Sequence, residues 1–168
     1  MCGLVAVYHK NGKKSVEAGT IENMIEMMIH RGPDDEGIVL DGRVGLGFRR
    51  LSIIDLEKGK QPLSNETRDI WIVFNGEIYN CRELRAWLEQ KGHRFQSESD
   101  TETIVHLYEE VGFQCPKHLR GMFAFVIWDQ KNDILFGARD RFGIKPLYWT
   151  ETAYGFAFAS EIKSLLAL

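Results

Sequence analysis

At 168 residues, 44% of them apolar and 27% charged, the chain has the size and balance of one soluble globular domain. Such a domain buries a core without needing disulfides or a structural metal. Its formal charge of −3, from 24 acidic and 21 basic residues, argues against nucleic acid or an anionic membrane as the main partner. No apolar run approaches the roughly 18–20 residues that span a bilayer. Three cysteines, with no CxxC pair and no histidines at ligand spacing, set aside a disulfide scaffold and a zinc site. No GxxxxGKS/T or GxGxxG loop occurs, so the chain is not expected to bind ATP by itself. Met1-Cys2-Gly3-Leu4-Val5-Ala6 lacks a basic leader and a long apolar core, so no signal peptide is expected and the cytosol is the default.

In chain order, residues 3–8 read as a short buried strand. Ile21, Met24, Ile25, Met28 and Ile29 recur at helical spacing and predict a helix over 20–30, with Thr20 as N-cap and the apolar face in the core. Strand-like runs follow at 36–41, 44–49 and 69–75, separated by polar or glycine breaks. Asn80-Cys81-Arg82-Glu83 has the form of a capping box and opens a helix to about Lys91, with Gly92 as its stop. Ser99-Asp100-Thr101-Glu102 is a second such start, and Ile104, Val105, Leu107, Tyr108 and Val111 supply its buried face. Residues 119–129 alternate as a strand, turn through Lys131-Asn132-Asp133, and return as a strand over 134–138. Two more strands are predicted at 146–150 and 155–159, then a short helix near Glu161. The pattern is that of an α+β layered domain; periodicity does not say whether the strands form one sheet or two.

Four places carry candidate chemistry. Cys2 follows the initiator Met and precedes Gly3, and its side chain is small enough to permit removal of Met1. Removal would leave a thiol and a free α-amine on one residue. A terminal α-amine ordinarily titrates at about 7.7–8.0, so part of it is an unprotonated base near neutrality. The plain alternative is a small buried residue that opens the first strand. Asn75-Gly76-Glu77 follows the run at 70–74: a carboxamide and a glycine N–H are the donors a tetrahedral oxyanion needs. Asn-Gly is also the commonest hairpin signal, and the turn reading stays open. Arg49-Arg50-Leu51-Ser52 ends another strand, and an arginine fork there suits a substrate carboxylate or stands as a solvated charge. Asp100 is locally an N-cap, or else a partner for an ammonium group. His30-Arg31-Gly32-Pro33-Asp34-Asp35 and Arg139-Asp140-Arg141-Phe142-Gly143 read as charged turns of the scaffold, and Cys81 and Cys115 as inert thiols.

Taken in order and spacing, these segments resemble the N-terminal glutaminase domain of glutamine-hydrolysing asparagine synthetases, which are class II glutamine amidotransferases of the N-terminal-nucleophile hydrolase type. The resemblance is carried by Met1-Cys2-Gly3, His30-Arg31-Gly32-Pro33-Asp34, Gly47-Phe48-Arg49-Arg50-Leu51-Ser52-Ile53-Ile54-Asp55 and Gln61-Pro62-Leu63. It continues through Phe74-Asn75-Gly76-Glu77-Ile78-Tyr79-Asn80, Ser99-Asp100-Thr101-Glu102, Arg120-Gly121-Met122-Phe123-Ala124-Phe125, 139–148 and Phe158-Ala159-Ser160-Glu161, and so covers nearly the whole chain. One departure is Cys81, where the family usually has an aromatic residue; it touches the helix start rather than the site.

The resemblance implies an α+β fold, a four-layer αββα sandwich. It implies Cys2 as nucleophile after loss of Met1, Asn75 and the Gly76 N–H as oxyanion hole, and Arg50, not Arg49, as the grip on the substrate α-carboxylate. Glu77 and Asp100 would receive the α-ammonium, and Leu51, Ser52, Ile53 and Ile54 would wall the glutamine pocket. Residues 1–168 are then one glutaminase domain with no metal or cofactor of its own. ATP and Mg²⁺ are expected in a C-terminal synthetase domain absent from this chain, and 161–168 resemble the approach to it, so the chain is expected to be a fragment. The implied partners are L-glutamine and that domain, with a homodimer left open, in the cytoplasm. Competing readings are the glutaminase domain of another class II enzyme, serving sugar-phosphate, purine, surface-sugar or antibiotic pathways, and a non-catalytic binding domain of the same fold. Retention of Cys2 and of the matched glutamine-binding positions speaks against the last.

Overall fold

In a computed structural model of the protein, which describes residues 1–10, 14–51 and 60–168, the strands sort into two antiparallel sheets. One holds five strands in the order β2 (Asp35–Asp41), β3 (Val44–Arg50), β1 (Gly3–His9), β9 (Gly155–Ala159) and β8 (Tyr148–Glu151). The other holds four: β4 (Leu63–Ser64), β5 (Ile70–Ile78), β6 (Gly121–Asp129) and β7 (Ile134–Arg139).

Successive strand side chains point to opposite faces of a sheet, and the long strands here are apolar on both. Leu4 and Ala6 of β1, Leu46 and Phe48 of β3, Val73 of β5, and Ala124 and Val126 of β6 fill the layer between the sheets. Val5 and Val7 face the other way, onto Ile21, Met24 and Ile25 of α1 (Ala18–Glu26). Ile70, Ile72 and Phe74 turn outward onto Leu88 of α2 (Cys81–Lys91) and onto Ile104, Val105, Leu107 and Tyr108 of α3 (Asp100–Val111). Two shorter helices, α4 (Cys115–His118) and α5 (Ile162–Leu166), complete the outer layers. The order helix, sheet, sheet, helix answers the question that periodicity left open, and it agrees with the expected αββα sandwich. Close layer packing also explains the glycines in Val44-Gly45-Leu46-Gly47: a Cβ on Gly47 would lie 2.6 Å from Ile21 Cγ2 and 2.7 Å from Ile25 Cγ2.

Several local expectations change. The run predicted at 69–75 extends to Ile78, with Asn75 opposite Ala124 and Gly76 opposite Phe123, so Asn75-Gly76 is paired strand and not a hairpin turn. The helix predicted over 20–30 spans Ala18–Glu26, which leaves Thr20 inside it rather than at its cap. Asn80 does not cap α2: its Nδ2 donates to His118 O at 3.0 Å and its Oδ1 accepts the Arg120 N–H at 2.8 Å, while Glu83 pairs with Arg120. Ser99 does cap α3, accepting the Thr101 N–H at 3.2 Å. Gly92 ends α2 with φ of 104°, a backbone conformation that suits glycine. No helix among the described residues is long and apolar enough to cross a membrane.

Candidate active site

The site forms at one end of the layer between the sheets. Cys2, just ahead of β1, packs against that inter-sheet core, on the face that Leu4 and Ala6 share. Leu51, just beyond β3, comes alongside it. The Leu51 N–H donates to Cys2 Sγ at 3.4 Å, and the thiol lies 3.8 Å from Leu51 O, so the sulfur is held between the donor and acceptor of one residue.

Strand alternation also separates the two arginines. Val44, Leu46 and Phe48 place the even-numbered residues of β3 on the inter-sheet face, and Arg50 continues that row, 6% exposed. Arg49 turns away, pairing with Glu36 at 2.8 Å and donating to Ile25 O at 3.4 Å. Only Arg50 is therefore directed toward the layer that holds Cys2.

From the second sheet, Asn75 lies two residues past Val73 on the same inward face of β5 and is 3% exposed. Its Nδ2 is buried and has no hydrogen-bond partner among the described residues. Buried amide groups are nearly always paired, so this donor is held ready for a group that binds there. At Gly76 a Cβ would overlap Met122 O and lie 2.8 Å from Phe123 Cα, so the β6 main chain excludes every side chain at that position. Glu77, two residues past Asn75 on β5, is exposed and pairs with Met122.

Asp100 opens α3 and accepts the Ile78 N–H at 3.0 Å, which docks the helix start against the end of β5. Burial pushes its carboxyl above the usual carboxylate range; the Ile78 and Thr101 N–H groups oppose the rise, and the nearby charge of Glu77 adds to it. A carboxylate that feels the charge of another is favoured by a cation nearby. Ser52, Ile53 and Ile54 lie outside the described residues.

One contact at Cys2 was not legible in the sequence. Arg31, predicted as part of a scaffold turn, donates from Nε to Cys2 O at 3.0 Å and from Nη1 to Glu161 Oε1 at 3.2 Å. Burial alone would raise the Glu161 carboxyl, but hydrogen bonds from His30, Arg31 and Lys163 outweigh it and hold the group below the usual range. Residues near the start, the first helix and the end of the chain meet here, and local sequence carries no sign of that.

Among the described residues, His93, His106 and Glu109 have the chemistry of a metal site, but in the outer helical layer. His106 Nδ1 lies 2.7 Å from Glu109 Oε2. Burial disfavours charge on His106, yet the carboxylates of Glu102 and Glu109 prevail and raise its pKa to about 9.

Residues 1–168, the whole chain, match the glutamine amidotransferase domain family. The chain belongs to that family. This amidotransferase domain is 51% identical to asparagine synthetase (glutamine-hydrolyzing) 1 of Bacillus subtilis, over 99% of this chain and 27% of that protein. It is 40% identical to the amidase chyE of Penicillium rubens, over 99% of this chain and 26% of that protein. The chain thus spans about a quarter of the length of these curated relatives. Among solved structures, a glutamine phosphoribosylpyrophosphate amidotransferase of B. subtilis complexed with ADP and GMP aligns with a TM-score of 0.80 at 20% identity, over 99% of this chain and 43% of that one. A structure described as the allosteric regulatory enzyme of purine biosynthesis aligns at 0.84 and 21%, with the same coverage. These two likenesses are of fold, and they share the two-sheet sandwich described above.

Proposed function

We infer that this domain hydrolyses L-glutamine to glutamate and ammonia, with Cys2 as nucleophile once Met1 has been removed. The observation that carries this reading is the convergence, in one layer between two sheets, of a thiol, Cys2, a buried guanidinium, Arg50, and the buried Asn75 amide, whose Nδ2 has no partner among the described residues.

Glutamine is a zwitterion with a neutral amide, and the site offers a complement to each part. The Arg50 fork takes the α-carboxylate. Glu77 and Asp100 take the α-ammonium, and Leu51 walls the pocket. The α-amine of Cys2 accepts the thiol proton, and the thiolate attacks the side-chain amide carbon. Asn75 Nδ2 and the Gly76 N–H hold the resulting oxyanion. The protonated amine returns its proton to the departing nitrogen as ammonia leaves, giving a thioester on Cys2. Water, deprotonated by the same amine, then adds to the thioester; a second oxyanion forms and collapses to glutamate and free thiol. No step calls for a metal or cofactor in this domain.

The relatives named as glutamine-hydrolyzing asparagine synthetases support a finer reading, in which the ammonia serves ATP-dependent conversion of aspartate to asparagine. A second domain of the full protein would then hold ATP and Mg²⁺, and the reaction would run in the cytoplasm. Identity of 40% to a protein named as an amidase shows that the domain is not confined to proteins of one name. Glutamate release from L-glutamine tests the core of the proposal: the parent hydrolyses it, and Cys2→Ala does not. Asparagine formation by the full protein from aspartate, ATP and glutamine tests the acceptor.

A further inference from the structure

Gln61-Pro62-Leu63 belongs to the pattern that carries the resemblance, yet no step of the proposed reaction uses it. Leu63 and Ser64 pair with Ile72 and Trp71, and the same register places Gln61 opposite Phe74. At that rung the Gln61 side chain makes the bonds: Oε1 accepts the Phe74 N–H at 2.6 Å, and Nε2 donates to Phe74 O at 3.1 Å. A carboxamide carries the same donor and acceptor as a peptide group, so it extends the ladder between β4 and β5.

The second hydrogen on Nε2 reaches another element. It points at Thr101 Oγ1, 3.3 Å away, in the first turn of α3, where Thr101 is 2% exposed. The main chain of Gln61 meanwhile rests on β2: a Cβ on Gly37 would overlap Gln61 O and lie 3.0 Å from Gln61 C. One residue thus touches the first sheet, the second sheet and the start of α3. Its two side-chain partners each adjoin a group assigned to glutamine, since Phe74 precedes Asn75 and Thr101 follows Asp100.

The geometry points to Gln61 as a positioning residue that sets the spacing between the Asn75 amide and the Asp100 carboxylate, and so between the amide end and the ammonium end of bound glutamine. This role rests on the glutaminase reading above. Glutamine is flexible between those ends, and a site that grips both must keep them a fixed distance apart; an ångström of error costs rate by about 100-fold. Gln61 acts through its neighbours and touches no reacting atom.

The test compares L-glutamine with glutaramate, the same amide acid without the α-ammonium, in Gln61→Met and Thr101→Val variants of the intact protein. Gln61→Met removes both arms. Its kcat/KM for L-glutamine is expected to fall by about 30-fold and for glutaramate by about threefold, so preference for the ammonium shrinks about tenfold. Thr101→Val is near-isosteric and keeps Phe74 clasped, so it reads the helix arm in a protein whose sheet contacts are intact. It should lower kcat/KM for L-glutamine by about fivefold and leave glutaramate unchanged. Equal losses on both substrates in both variants would mean a purely structural role and overturn the proposal. Values within about twofold of the parent would overturn it as well. A parent that hydrolyses neither substrate removes the glutaminase reading and this role together, whereas an active parent with unaltered variants removes this role alone.

Discussion

Arg31 Nε donates to the carbonyl oxygen of Cys2 at 3.0 Å, and the same guanidinium reaches Glu161, which lies 130 residues further along the chain. The turn after α1 is thereby braced by the residue that precedes α5, and it fixes the peptide plane of Cys2, the proposed nucleophile. Lysine at this position keeps the charge but lacks the planar fork that serves both partners. Arg31→Lys is therefore expected to lower kcat by about tenfold with little change in KM, and to lower stability by about 1 kcal/mol. Steady-state glutaminase kinetics and thermal melts check both parts.

Asn75 makes the opposite trade between function and stability. Its buried Nδ2 has no partner among the described residues, so removing it breaks none of their hydrogen bonds. If that donor meets the oxyanion, Asn75→Ala should lower kcat by about 10²–10³-fold and leave KM nearly unchanged. The melting temperature should hold or rise. A fall in stability with kcat preserved would assign Asn75 to the core instead.

Asp100 has a second trade of this kind. Burial raises its carboxyl pKa, against the Ile78 and Thr101 N–H groups and with help from Glu77. A carboxyl raised on folding contributes stability that is present at low pH and lost as pH rises through the folded pKa, so ionised Asp100 is a cost to the fold at pH 7. Asp100→Asn is expected to melt a few degrees higher at pH 7 while raising KM for glutamine about tenfold or more. In the parent, KM should climb as pH falls through the raised Asp100 pKa, because the ammonium then loses a counter-charge. Melting curves and KM measured from pH 4 to 8 check the sign of each.

A pH signature unrelated to the reaction comes from the outer helices. His106 is fully buried, with its pKa raised to about 9, while Glu102 on the same helix is lowered to about 2 by its hydrogen bonds, which overcome the effect of burial. The His106 contribution is complete below its ordinary value of 6.5 and is lost as pH rises through about 9. The Glu102 contribution is complete above 4.5 and is lost as pH falls toward about 2. The melting temperature should therefore be highest between these limits and decline on both sides. In His106→Gln, the alkaline decline should flatten and the melting temperature near pH 6 should drop, with glutaminase kinetics unchanged.

What was legible in the sequence follows from which forces are local. Val44, Leu46 and Phe48 alternate with Gly45 and Gly47, so the strand itself is local; the choice of Arg50 over Arg49 came from the resemblance, and the strand's alternation in the structure agrees with it. The stop at Gly92 and the cap at Ser99 are likewise local chemistry, and both stand. Asn75-Gly76 is different: a hairpin turn and a paired strand share the same dipeptide, and only β6, some fifty residues later, decides between them. Asn80 has the form of a capping residue, but its side chain is taken by His118 and Arg120 from a distant segment. Arg31 looks like a surface turn until β1 and the end of the chain are brought to it. Two sheets rather than one could be seen only from the resemblance, because period-2 alternation is the same in both cases.

The central claim is that Cys2, freed of Met1, is the nucleophile for glutamine. The intact mass of the protein, taken after incubation with a glutamine-like electrophile and with L-glutamine as competitor, tests it most directly. The expected result is a chain lacking Met1 that carries one adduct, localised to Cys2 by peptide mapping and suppressed by L-glutamine. An active preparation that retains Met1, or one whose adduct falls on Cys81 or Cys115 with Cys2 unmodified, would contradict it.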